Sequence, residues 1–151
     1  MHPFDEYPGG GRTRLGRLRN TDNCRHGYGL DLQRKTKQKR CVYCGVDLTH
    51  DYYRWLLLNV DHVVPKGEGR RLGIPADMLE DASNKALCCS GCNHFDNHYE
   101  IRDVEPREEM AWTDDSFYDL RDRVFEERLH RVARRRAEEV GFFGGKPWEV
   151  Q

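Results

Sequence analysis

The sequence predicts a small metal-stapled α+β domain from three observations: two Cys-x-x-Cys pairs, a strand-like apolar run between them, and a long helical period behind them. The pairs are Cys41/Cys44 and Cys89/Cys92. Thiolates two residues apart can grip one tetrahedral ion from a tight turn, and a second pair brought alongside closes a four-sulfur site. Such a site suits a structural Zn2+ and leaves no open coordination position for chemistry. The chain is 34% charged against 37% hydrophobic, which is polar for a self-sufficient core, so a metal staple would help it fold.

Residues 1–40 show little hydrophobic period and many glycines and arginines, which predicts a largely irregular basic arm that orders on binding, with a short helix in 30–39. Cys41-Val42-Tyr43-Cys44-Gly45 then reads as a knuckle, Gly45 allowing the turn to close. Residues 52–64 are aromatic and β-branched, and the run from Trp55 to Val60 predicts a strand ending near His62, where Pro65 blocks continuation. Gly67, Gly69, Gly73 and Pro75 make 66–82 a long loop, with one helical turn after Pro75. A second strand over 85–88 and a helix over 90–99 follow. In the extension 100–151, Phe117, Leu120, Val124, Phe125, Leu129, Val132, Ala133, Ala137 and Val140 recur at three- and four-residue steps. They predict an amphipathic helix over 113–140, capped by Thr113 or Ser116 and halted by Gly141.

The net charge of -1 conceals a strong asymmetry. Residues 12–40 hold ten basic side chains against Asp22 and Asp31, whereas 100–127 hold eleven acidic against four basic, so a polyanionic partner is not excluded. No apolar run approaches membrane-spanning length and the first residues carry no signal-peptide pattern, which predicts a cytoplasmic protein with reduced thiols available for metal. Cys24 and Cys88 fall outside the pairs; on a strand, Cys88 would face away from Cys89.

Between the cysteine pairs lies the pattern Asp61-His62-Val63-Val64-Pro65, then Asn84, then Asn93 directly after Cys92, and Asn97. With the two pairs, in this order, the pattern over residues 41–99 resembles the HNH endonucleases. The resemblance implies a ββα-metal fold and metal-dependent hydrolysis of DNA phosphodiester bonds, double-stranded DNA ranking ahead of single strands. It assigns His62 as the general base that deprotonates water. Imidazole chemistry independently suits that task, because its ordinary pKa of about 6.5 leaves it neutral near physiological pH. The resemblance also assigns Asp61 to a divalent cation, and Asn93 matches the family's last metal-binding residue, usually His. An amide oxygen there suits a hard cation and moves the expectation to Mg2+ or Mn2+. Asn97 is expected one helical turn further on the same face, with His94 replacing Asn93 if the helix register shifts by one. Asn84 is expected to hydrogen-bond backbone and so orient His62. Lys66, Arg70 and Arg71 could contact the substrate backbone. The competing reading is a zinc module that binds nucleic acid or protein without chemistry.

Overall fold

Local chemistry starts most of the elements. The computed structural model describes residues 2–19 and 23–149; Asp22, counted above in the basic segment, lies outside the described residues. Short 3-10 turns over Pro3–Glu6 and Pro8–Gly11 lead to a π-turn at Arg25–Gly29 and then α1 (Leu30–Thr36), which Lys37 ends in the left-handed region at φ 63°. α2 (Tyr52–Leu56) begins where the Asp51 carboxylate accepts the Arg54 N–H, and β1 (Leu58–His62) follows after Leu57. Trp55 and Leu56, expected in the strand, are therefore helical, because the Asp51 cap acts before the β-pairing starts.

The expected long loop is also more regular than its glycines suggest. Pro65 and Pro75 open two short helices, α3 (Lys66–Arg71) and α4 (Ala76–Leu79). The missing side chain of Gly69 lets α3 and α4 approach, because a Cβ there would lie 2.3 Å from a Leu79 side-chain methyl. Gly73 sits at φ +79° with the Arg107 carbonyl where a Cβ would point, which joins this segment to the chain beyond the second cysteine pair.

β2 (Lys85–Cys89) pairs antiparallel with β1, with Leu58 opposite Cys89, Asp61 opposite Ala86 and His62 opposite Lys85. Strand alternation places His62, Lys85, Val60 and Leu87 on one face, and Asp61, Ala86 and Cys88 on the other. α5 (Ser90–Phe95) begins at Cys89, whose sulfur accepts the Cys92 N–H. It ends at Phe95, short of the expected 99, so Asn97 falls in the turn beyond it rather than on the helix.

α6 (Asp114–Gly144) is the long helix, started by a Thr113/Ser116 capping box. It runs through Gly141 for one further turn. Its buried stripe is Phe117, Leu120, Val124, Phe125 and Val132, with Arg121 and Arg128 buried among them. Residues 133–144 are exposed, so the expected contribution of Ala133, Ala137 and Val140 to the packed face is absent.

The N-terminal segment differs most from expectation. Instead of a free arm, Phe4, Tyr7, Leu18 and Leu32 are buried in the core that contains Cys41, Leu58, Leu87 and Phe125. Tyr7 Oη donates to the Lys85 carbonyl at 2.7 Å, and Phe4 meets Phe125 edge-on at 5.3 Å. Arg12 pairs with Asp119 at 2.7 Å and Asp122 at 3.1 Å, and Arg14 with Asp114 at 2.8 Å. The charge asymmetry read from the sequence is thus partly an intramolecular clasp between the arm and α6. Among the described residues no helix is long and apolar enough to cross a membrane.

Candidate functional site

Three local devices bring the cysteines together. The knuckle closes through Gly45 N–H to the Cys41 carbonyl, Gly45 taking φ 76°, and through Cys41 N–H to the Val46 carbonyl. It hangs on β2 by the Val42 N–H, which donates to the Leu87 carbonyl at 3.0 Å. Cys89 and Cys92 come from the β2–α5 junction. The four sulfurs lie within 4.8 Å of one another, with Cys44 and Cys89 3.9 Å apart; tetrahedral zinc at about 2.3 Å from each sulfur needs about 3.8 Å between sulfurs. Cys41, Cys89 and Cys92 are buried and Cys44 is partly so, and the cluster could hold one structural ion. Hydrogen bonds among the neighbouring sulfurs lower the Cys89 pKa and push Cys41 and Cys92 up. Cys88 is fully buried on the opposite face from Cys89, outside the cluster.

The chain turns sharply after His62, and Asn84 governs that turn. Its side-chain oxygen accepts the Val64 N–H at 3.0 Å, and its amide donates to the Val64 and Leu79 carbonyls. Its backbone carbonyl accepts the Val63 N–H at 2.8 Å. Every polar group of this fully buried amide is thereby used to fix the backbone on either side of the Asn84 segment.

His62 opens onto a pocket of about 450 Å³. Leu18, Tyr28 and Val60 line its apolar wall, and Arg17, Lys66, Lys85 and Glu80 supply its charge. His62 is 30% exposed, and its Nε2 lies 3.5 Å from Glu80 Oε2. Glu80 also pairs with Lys66 at 2.9 Å and Lys85 at 3.3 Å. Burial and the Lys85 charge lower the pKa of His62 against the opposing pull of Glu80 and Asp61, so the ring is neutral at neutral pH. Burial alone would raise the Glu80 carboxyl, but Lys66, His62 and Lys85 outweigh it and hold the pKa at about 2. Lys66 is the member of the predicted basic cluster that reaches this pocket; Arg71 instead pairs with Glu68 at 2.7 Å and donates to the Ile101 carbonyl.

On the other face of β1, Asp61 is almost buried. Tyr43 Oη donates to its Oδ2 at 2.7 Å, and Arg128 Nη1 lies 2.9 Å from the same oxygen. Burial and the Asp61 charge push the Tyr43 phenol well above its usual pKa, which keeps it a donor. Arg128 also pairs with Asp96 at 3.2 Å, and Arg131 with the other oxygen of Asp96 at 3.0 Å. Asn93 is half-buried on α5, while His94 and Asn97 are exposed, their side chains 3.5 Å apart. Among the described residues, the only group of three or more Cys, His, Asp or Glu side chains placed to hold a metal is the four cysteines.

Sequence reasoning thus missed Arg17, Tyr43, Glu80, Lys85, Asp96 and Arg128. Only Lys85 had a usable signal, since pairing the two strands sets it opposite His62. Comparison with family models, with curated proteins and with solved structures gives no match for this chain, so the chemistry of the site alone carries its functional reading.

Proposed function

We propose that the chain is an HNH-type endonuclease that hydrolyses DNA phosphodiester bonds. The observation that carries this reading is a partly exposed imidazole at the end of a strand, placed in a pocket with three cationic side chains, Arg17, Lys66 and Lys85. The cations draw in a phosphodiester, whose charge is the dominant attraction in any nucleic-acid complex. The apolar wall of Leu18, Tyr28 and Val60 restricts water around the reacting group. His62 takes the proton of a water attacking phosphorus, and Asn84 keeps the backbone beyond His62 from yielding.

Cys41, Cys44, Cys89 and Cys92 would hold a zinc ion that ties the knuckle to the hairpin and α5. The hard divalent cation, Mg2+ or Mn2+, has a narrower fit. Both contacts to Asp61 fall on Oδ2, so Oδ1 is the oxygen it could offer a cation from the face of β1 opposite His62; half-buried Asn93 and exposed His94 and Asn97 are the other candidate ligands. When bound, such a cation supplies positive charge that offsets the charge growing on the phosphoryl and departing oxygens.

Plasmid nicking by the full-length protein tests this reading. Wild type should cut with Mg2+ or Mn2+ and stop on chelation, while His62→Ala should keep its zinc and DNA affinity and lose cutting by on the order of 10²–10⁴-fold. Undiminished cutting by His62→Ala, or no metal-dependent cutting by wild type, overturns it.

The grip of Arg128 on Asp61 favours a second reading, a zinc module that binds nucleic acid or protein without cutting, because the carboxylate already has a cationic partner. DNA retardation that weakens with salt, without nicking, identifies that case.

A further inference from the structure

Glu80 has no role in the sequence pattern, yet the fold brings its carboxylate to within 3.5 Å of His62 Nε2. The residues on both sides of Glu80 are held in place. The carbonyl of Leu79 accepts from the Asn84 amide, and the carboxylate of Asp81 accepts from the backbone N–H groups of Leu15, Gly16 and Ser83 and from Ser83 Oγ. Its side chain is 17% exposed and meets three partners: His62 Nε2, Lys66 Nζ and Lys85 Nζ. Lys85 is itself only 9% exposed and comes from the strand position directly opposite His62.

A neutral imidazole carries one N–H and one lone pair, and the hydrogen bond made by one nitrogen decides the role of the other. A carboxylate flanked by two ammonium groups remains ionised and can only accept. The His62–Glu80 contact is therefore satisfied by the tautomer with its proton on Nε2. We propose that Glu80 is a positioning residue for His62: it accepts Nε2–H, fixes the ring, and leaves the lone pair of Nδ1 as the basic atom of the pocket. The assignment rests on reading His62 as the general base. In the proton transfer, Nδ1 accepts the proton of the attacking water, and the resulting imidazolium faces the Glu80 anion through Nε2–H. The lysines keep Glu80 from taking that proton itself.

Long-range ¹H–¹⁵N correlation of the histidine rings in the full-length, zinc-loaded protein, at mildly alkaline pH, tests this directly. Wild-type His62 should show a protonated Nε2 and a bare Nδ1. Glu80→Met, which removes the acceptor at similar volume, should give a mixture of tautomers. Lys85→Met, which leaves the Glu80 contact and its Lys66 partner in place, should keep the wild-type tautomer. A wild-type ring protonated on Nδ1, or a Glu80→Met ring with unchanged tautomer, overturns the proposal, and the wild-type spectrum decides the point even if a variant fails to fold. In cleavage, Glu80→Met should lower kcat by about ten- to a hundredfold with KM for DNA little changed. Should wild type not cut DNA at all, the nuclease reading fails while the spectrum still decides the role of Glu80.

Discussion

Nη1 of Arg128 lies 2.9 Å from Oδ2 of Asp61 and donates to the carbonyls of His62 and Val63 at 2.8 and 2.9 Å. One guanidinium from the C-terminal helix therefore braces the acidic residue and the backbone of the imidazole beside it. With Tyr43 and Asp96 it forms a buried ionic cluster in which every charge depends on its neighbours.

Removing this guanidinium should be costly. Arg128→Ala leaves Asp61 buried without its cation and Asp96 with Arg131 alone, and should reduce stability by about 3–5 kcal/mol. Arg131→Ala, whose side chain is 42% exposed, should cost less than about 1 kcal/mol. Urea unfolding of the zinc-loaded variants measures both, and equal losses would show that Arg128 is not the keystone of the cluster.

The cysteines should divide cleanly by face. Cys41→Ser should lose bound zinc and unfold, since the closed site needs all four sulfurs. Cys88→Ala should keep one zinc per chain, because Cys88 lies across the strand from the cluster, and should lose only about 1 kcal/mol of packing. Metal analysis beside circular dichroism distinguishes them; zinc loss in Cys88→Ala would contradict the ligand assignment.

Glu80 should link stability to acid. Its folded pKa of about 2 lies below the ordinary 4.5, so the folded state binds the proton less readily than the unfolded chain. Its contribution is complete above about pH 5 and is lost as pH falls from about 4.5 toward 2, amounting to at most about 3 kcal/mol. The stability gap between wild type and Glu80→Gln should therefore narrow as pH drops through that range. A gap independent of pH would mean that the lysine pairs contribute nothing to folding.

The N-terminal segment should behave as core. Phe4→Ala removes a side chain that is 1% exposed and packed on Phe125, and should cost about 3–5 kcal/mol. Arg12→Ala breaks exposed ion pairs and should cost under about 1 kcal/mol. Thermal unfolding of the two variants checks the contrast, and a harmless Phe4→Ala would mean the segment is a detachable arm.

By itself the sequence determined the features that depend on short separations: the ligand spacing of both cysteine pairs, the Thr113/Ser116 cap, the end of β1 before Pro65, and the stripe from Phe117 to Val132 on α6. Each follows from turn geometry or from one helical or strand period, which three to seven neighbouring residues express. Tertiary structure alone decided that Glu80 meets His62, that Arg128 meets Asp61, that Arg17 lines the pocket and that Phe4 and Tyr7 belong to the core. These partners lie 18 or more residues apart, and a glutamate, an arginine or a phenylalanine there reads the same in sequence whether it ends in solvent or against a charge. Docking of α6 buries Arg128 against Asp61, and packing of the N-terminal turns buries Phe4 and Tyr7, so it is tertiary placement that turns ordinary residue types into parts of a core or a site.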